Sequence, residues 1–254
     1  MRRSVLFVTL FFPPVSSPAS QRILEFVRHM ANHNWDVHVL CPQKIFSLRK
    51  DKSLLEKVPS TIQVHRMWGW DLSKMKREIR VQKSSRNMAK ESSGFVREII
   101  SFVCSFILDS AQWVKRVFFY PDIYITWAPS IIVYGFYLWW RYRFSIVFST
   151  GDPWSPVLIS SFLAKCTGAT FVADFRELWN DHSQNKDPNK MQRSLRSELK
   201  ILRYAELIVA NSPLERDILA EKIDVPESKF IDIENGFNAQ EFCKHVSQNT
   251  IMLT

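Results

Sequence analysis

Three Ser-Pro dipeptides, Ser17-Pro18, Ser155-Pro156 and Ser212-Pro213, recur at one place in a repeating pattern. Each lies a few residues beyond a short apolar run and heads a stretch that suits a helix. Ser at the N-cap with Pro at the first helical position marks a helix start. The Ser oxygen accepts from an otherwise unpaired backbone N–H, and Pro has no N–H to satisfy. Ser212-Pro213-Leu214-Glu215 extends the signal to a capping box. Strands that alternate with helices of this kind admit few folds: a parallel sheet joined by right-handed crossovers.

The apolar runs place the expected strands at Ser4–Leu10, Asp36–Leu40, Thr61–Arg66, Asp122–Trp127, Ser145–Phe148, Thr170–Ala173, Leu207–Ala210 and Phe230–Ile233. The first is apolar almost throughout, as a strand covered on both faces must be. Ile23, Leu24, Val27, Met30 and Ala31 fall at helical spacing within Ser20–Asn32. Arg2-Arg3 ahead of an apolar run imitates a secretory leader, but the residues that follow complete a β-α-β unit only if the run is kept as a strand. The fold class expected is α/β: a Rossmann-like, doubly wound, mostly parallel sheet flanked by helices, in a single domain over residues 1–242. Capped helix starts at the carboxyl edge of such a sheet suggest a surface built for polar or anionic groups.

Several function classes are disfavoured. The chain holds only six glycines in 254 residues, and no G-x-G-x-x-G follows the first strand. That loop reads Phe12-Pro13-Pro14-Val15-Ser16-Ser17-Pro18, where the backbone cannot easily approach a pyrophosphate. A dinucleotide-dependent oxidoreductase is disfavoured, and no P-loop is present. Cys41, Cys104, Cys166 and Cys243 are scattered without a disulfide or zinc spacing, which fits a reduced, cytoplasmic compartment. His29 and His33 share one helix face but lack a third ligand, so no metal is expected. His182 is the best-placed histidine for a site. Ile99–Leu108 and Ile131–Trp140 are each too short to span a bilayer, which takes about 20 apolar residues.

The formal net charge of +9 favours anionic partners. Much of it lies in Lys74, Lys76, Arg77, Arg80, Lys83, Arg86 and Lys90, the first half of an insertion spanning residues 68–120. Its second half is rich in apolar and aromatic residues, among them Phe95, Phe102, Phe106, Trp113 and Phe119. Such a pair of segments either lies on an anionic membrane, with Lys74, Lys76, Arg77, Arg80 and Lys83 facing the lipid, or packs on the flank of the sheet. Nucleic acid is not an expected partner, because the basic run comes without a recognised nucleic-acid motif.

Candidate chemistry gathers in two loops beyond strands, where parallel α/β sheets place ligand sites. Asp174, Arg176 and Glu177 follow one strand. A carboxylate there can orient a hydroxyl or accept its proton, and Arg can fork onto an anion. An ion pair of Arg176 with Asp174, or of Glu177 with an arginine, is the structural alternative. Trp179 either stacks on a sugar face or fills the core. Gly151-Asp152-Pro153-Trp154 is the corresponding turn after the preceding strand.

These motifs resemble those of GT-B glycosyltransferases, specifically the N-terminal, acceptor-side domain of the family 4 group. The matching pieces are Phe7-Val8-Thr9 with Phe12-Pro13-Pro14 and Arg22, Ser149-Thr150-Gly151-Asp152-Pro153, and Asp174-Phe175-Arg176-Glu177-Leu178-Trp179. Ile208-Val209-Ala210-Asn211-Ser212 and Ile233-Glu234-Asn235-Gly236-Phe237-Asn238 complete them. The resemblance implies retaining transfer of a hexosyl-type sugar from a nucleotide-sugar to a lipid-linked or polysaccharide acceptor. It implies that Ser17, Arg22, Asp152, Trp154, Asp174, Arg176, Glu177 and Trp179 line the acceptor side, with Asn235 and Gly236 at the crossing into a donor-binding domain. The chain departs from the family pattern at Ser16, Ser17 and Pro18, where glycines are common, at Val157, where a histidine is common, and at Glu177, where Asp is usual. Residues 243–254 are expected to be the truncated start of the donor domain. The acceptor half alone is then expected to be inactive, with no cofactor, and to use a nucleotide-sugar only together with a C-terminal domain. Its expected partners are a glycan or glycolipid acceptor, a separate chain carrying that domain, and the inner face of the membrane as a peripheral contact. The alternative is a non-catalytic module that binds the membrane surface.

Overall fold

The computed structural model describes residues 3–43, 49–68, 120–179 and 188–236. Seven strands form one parallel sheet in the order β3-β2-β1-β4-β5-β6-β7: β1 Ser4–Val8, β2 Asp36–Pro42, β3 Gln63–Met67, β4 Ile146–Gly151, β5 Thr170–Phe175, β6 Leu207–Ala210 and β7 Phe230–Asp232. The helices are α1 Pro18–Asn32, α2 Ser53–Glu56, α3 Ala128–Tyr142, α4 Ser155–Thr167, α5 Pro188–Tyr204 and α6 Pro213–Glu221. The order reverses direction between β1 and β4, so the sheet is doubly wound as expected.

Alternation along each strand divides the core in two. Val5, Phe7, Val37 and Val39 face α1 and pack with Ile23, Leu24 and Val27. Leu6, Val8, Val147, Phe171 and Ala173 face the other way, packing with Leu138, Leu163, Ile201, Leu202 and Leu219 of α3 to α6. Gly135 lets α3 approach α4 closely: a Cβ there would lie 2.7 Å from a methyl of the buried Leu163. None of the described helices is long and apolar enough to cross a membrane.

One expected strand is not a strand. Asp122–Trp127 forms a 3-10 turn over Ile123–Trp127 outside the sheet, despite its β-favouring Ile-Tyr-Ile-Thr-Trp composition. The Asp122 side chain accepts from the Tyr124 N–H at 2.9 Å, which bends the chain locally. Burial of Trp127 then holds it against the core. The same carboxylate also accepts from the backbone N–H of Trp154 and Ser155, each at 2.9 Å, and from the Ser155 hydroxyl at 2.7 Å. Ser155 therefore does not cap α4 as expected; Trp154 holds the cap position and Asp122 supplies the acceptor. Ser17 and Ser212 do cap α1 and α6, accepting from Ser20 and Glu215 at 3.1 and 3.2 Å. The basic and aromatic insertion lies outside the described residues over 69–119, as do the expected start of a donor domain at 243–254 and His182.

Where β2 meets β3, the buried His38 ring sits 3.2 Å from His65 through Nδ1 and 3.2 Å from Asp36 through Nε2. Tyr142 of α3 packs its ring on His38 at 4.1 Å. Burial lowers the pKa of both rings; for His38 the Asp36 charge opposes the shift, and for His65, taken down to about 4, the His38 charge adds to it.

Two outcomes follow. Asp122→Ala removes acceptors from two helix starts and should cost about 2 kcal/mol in urea denaturation. Between pH 6.5 and 4 the unfolded chain binds protons that folded His65 refuses. The stability from neutral His65 is present above pH 6.5 and lost as pH falls toward 4. The fall in urea midpoint from pH 7.5 to 4.5 should be smaller in His65→Gln than in the parent chain.

Candidate functional site

Around one buried charge at the carboxyl edge of the sheet, β4, β5 and the segment beyond β7 are brought together. Asp174, the next-to-last residue of β5, has no exposed surface. Arg22, on the second turn of α1, reaches it with two donors, Nη2 to Oδ1 at 2.8 Å and Nε to Oδ2 at 3.1 Å. The Thr150 hydroxyl, opposite Asp174 in the β4–β5 register, donates to Oδ2 at 2.8 Å. The third guanidinium nitrogen, Nη1, donates to Asn235 Oδ1 at 3.1 Å, just beyond β7. The Arg22–Asp174 pair thus ties α1 to the ends of β4 and β5 and to the segment beyond β7. Its guanidinium also lies 5.0 Å from the Phe26 ring.

Arg176 does not pair with Asp174 side chain to side chain. It donates through Nε to the Gly151 carbonyl at 2.9 Å and through Nη2 to the Asp152 carbonyl. It thereby fastens the turn after β4 to the turn after β5. Burial draws its pKa down, opposed by the charges of Asp174, Glu177 and Asp152.

Trp154 and Trp179, also expected at the site, stack on each other with centroids 4.4 Å apart and planes 2° from parallel. Each is only 6% exposed. Phe175 packs on Trp154 at 5.1 Å. Gly151 is required by this stack, since a Cβ there would clash with the six-membered ring of Trp154. The two indoles form an internal floor joining the two loops. Trp179 therefore fills the core, the second of the two readings its position allowed.

The remaining expected residues lie around the rim. Ser17 is half-buried and occupied as the α1 cap; Asp152 and Glu177 are half-buried; Asn235 and Gly236 are exposed. The structure adds Thr150, which anchors Asp174, and Glu215, which faces the cluster. Glu215 accepts from the Asn211 N–H at 3.2 Å and completes the α6 capping box one residue earlier than the usual pattern. Burial raises the Glu215 pKa, opposed by the Asn211 hydrogen bond and by Arg22, and reinforced by Glu177 and Asp174. Among the described residues, no cluster of His, Cys, Asp or Glu is placed to hold a metal ion. The edge presents carboxylate oxygens that can accept from hydroxyl groups, while Arg22 holds Asp174 in place and Arg176 holds the two turns together.

No family model matches the sequence, and no curated protein matches it in sequence. Solved structures match its fold. Sucrose-phosphate synthase from Thermosynechococcus elongatus superposes with a TM-score of 0.55 at 10% identity, covering 97% of this chain and 52% of its own. HepE from Anabaena, in complex with UDP and glucose, gives 0.50 at 10% identity, covering 97% and 50%. A UDP-glucosyltransferase from Polygonum tinctorium capable of glucosylating indoxyl gives 0.50 at 12% identity, covering 98% and 56%. The chain spans about half the length of these structures, and its Rossmann-like architecture matches one half of the GT-B glycosyltransferase fold.

Arg22→Ala would leave Asp174 charged, buried and short of two donors. The loss expected in urea denaturation is about 3–5 kcal/mol. Arg22→Ala combined with Asp174→Ala should cost clearly less than the two single changes added together, because the pair acts as a unit.

Proposed function

We propose that this chain is the acceptor-side, N-terminal half of a retaining glycosyltransferase of the family 4 group. The activity of the whole enzyme is transfer of a sugar from a nucleotide-sugar to a glycan or glycolipid acceptor. The observation that carries the reading is the charge at the sheet edge. Around the turns after β4, β5 and β6 stand four carboxylates, Asp152, Asp174, Glu177 and Glu215, against two arginines, Arg22 and Arg176. Both guanidinium groups are already engaged by protein oxygens. Around these turns a diphosphate would meet carboxylates and two occupied arginines, whereas the hydroxyls of a sugar acceptor find hydrogen-bond acceptors there.

Three supports converge on this reading. Asp174-Phe175 close β5 with Arg176-Glu177-Leu178-Trp179 beyond it, and Asn235-Gly236 follow β7, the order that the family motifs have. The fold matches half of longer UDP-sugar-related enzymes. The rim favours hydroxyls over phosphates. In this reading Glu177 and Asp152 contact the acceptor, and Arg22, Arg176 and the Trp154–Trp179 floor position them. The donor's nucleotide and phosphates are held by a second domain, supplied by further residues or by another chain, with no other cofactor. Removing even one preorganised transition-state donor typically costs about 10²–10³ in rate, so this half without the donor site is inactive.

Isothermal calorimetry with UDP-glucose, UDP and a panel of oligosaccharides is the test. The expected outcome is no heat from the nucleotides, with a measurable signal from at least one glycan. That signal should fall at least tenfold, about 1.4 kcal/mol or more, in Glu177→Gln. Tight binding of UDP-glucose by the chain alone overturns the assignment to the acceptor side.

A further inference from the structure

The helical layer made of α3, α4 and α5 has an outer side that is both apolar and free of exposed acid. α3 is apolar on every side: from Ala128 to Tyr142 its only charged residue is Arg141. A helix of that composition is normally covered all round, yet Val133 is 72% exposed and Trp140 65% exposed. Tyr137 lies between them on the same helical stripe. Phe162, also exposed, continues the apolar surface on α4.

The charges on the same three helices have one sign. Arg141, Lys165, Arg193, Arg196, Lys200 and Arg203 are exposed. α3 and α4 contain no Asp or Glu, and the single acid of α5, Glu198, has no exposed side-chain surface and binds Lys222 at 2.9 Å. Among the described residues, exposed acid borders these helices at Glu206, just beyond α5, and further acids stand on α6, Glu215, Asp217 and Glu221, over β6 and β7.

We propose that the outer side of α3, α4 and α5 docks on an anionic lipid bilayer. Trp140, Tyr137 and Phe162 would enter the headgroup region, and the six cations would meet lipid phosphates. Charge complementarity selects this occupant. A two-fold interface with a second copy would set the same cations against each other. A lipid surface satisfies aliphatic, aromatic and basic groups together, because interfacial Trp and Tyr have one apolar body and one polar tip. Each cation near an anionic surface adds about 1 kcal/mol of attraction. This surface is separate from the sheet edge, so the inference stands whether or not the chain handles sugars.

Flotation of the full chain with vesicles tests it. Binding is expected to phosphatidylcholine vesicles containing phosphatidylglycerol, weaker binding to phosphatidylcholine alone, and release as salt rises. Trp140→Ser together with Val133→Ser should abolish retention, and Arg193→Gln, Arg196→Gln and Lys200→Gln should each weaken it about fivefold. Each substitution is at an exposed position, and unchanged thermal melting confirms that the fold is kept. Four results overturn the proposal: no binding to acidic vesicles; binding lost only when Lys74, Lys76, Arg77, Arg80 and Lys83 are neutralised; a dimer in sedimentation that Trp140→Ser dissociates; or preference for a single-stranded oligonucleotide over the vesicles.

Discussion

The ion pair between Arg22 and Asp174 sets the geometry on which the rest of the sheet edge depends. Neither side chain is exposed by more than 5%. Two charges withdrawn from water lose several kcal/mol of hydration each, and mutual attraction repays this only when the geometry is good and every remaining polar atom is used. Here the carboxylate receives three donors, two from Arg22 and one from Thr150, and the guanidinium spends its remaining arm on Asn235. A pair of apolar side chains could fill this space at similar stability. What the ion pair adds is position: it fixes α1, the ends of β4 and β5 and the segment beyond β7 relative to one another, and leaves Asp174 anchored rather than available.

The same principle governs the helix starts. A backbone N–H at a helix N-terminus attracts anions only while it lacks a partner. In this chain the Ser17 and Ser212 hydroxyls, the Asp122 carboxylate and Glu215 supply partners from within. The edge is therefore less of an anion receptor than its three capped helices suggest. Its character comes from the carboxylates that remain around the two engaged arginines.

The fold was largely legible because its signals are local. Seven of the eight expected strands are present, and the doubly covered β1 could be recognised from composition alone. Asp122–Trp127 misled because β-favouring side chains were weighed without the Asp that bends the chain ahead of them. Ser155 misled for a related reason: Asp122 lies far away in sequence, and only the fold brings it to the start of α4. The site was legible in its residues but not in its pairings. Arg22, Asp174, Arg176 and Asn235 were all named, yet adjacency suggested Asp174 with Arg176, while the structure joins Asp174 to a residue 152 positions earlier. Trp154 and Trp179 show the same limit, since nothing local reveals that two indoles 25 positions apart will stack.

Whole-chain charge is a poor guide to what such a molecule meets, because charge is distributed by surface. A net +9 invites an anionic ligand at the sheet edge, but among the described residues around the turns after β4, β5 and β6 carboxylates outnumber arginines. The helices α3, α4 and α5 carry six exposed cations beside exposed aromatic side chains. Coulomb attraction between exposed groups fades over about 8 Å at physiological ionic strength. Each surface therefore acts through its own charges: an acidic edge suits neutral, hydroxyl-rich molecules, while a basic and apolar flank suits acidic lipid. A chain with both can hold a membrane at one side and a sugar at the other without either site competing for the other's ligand.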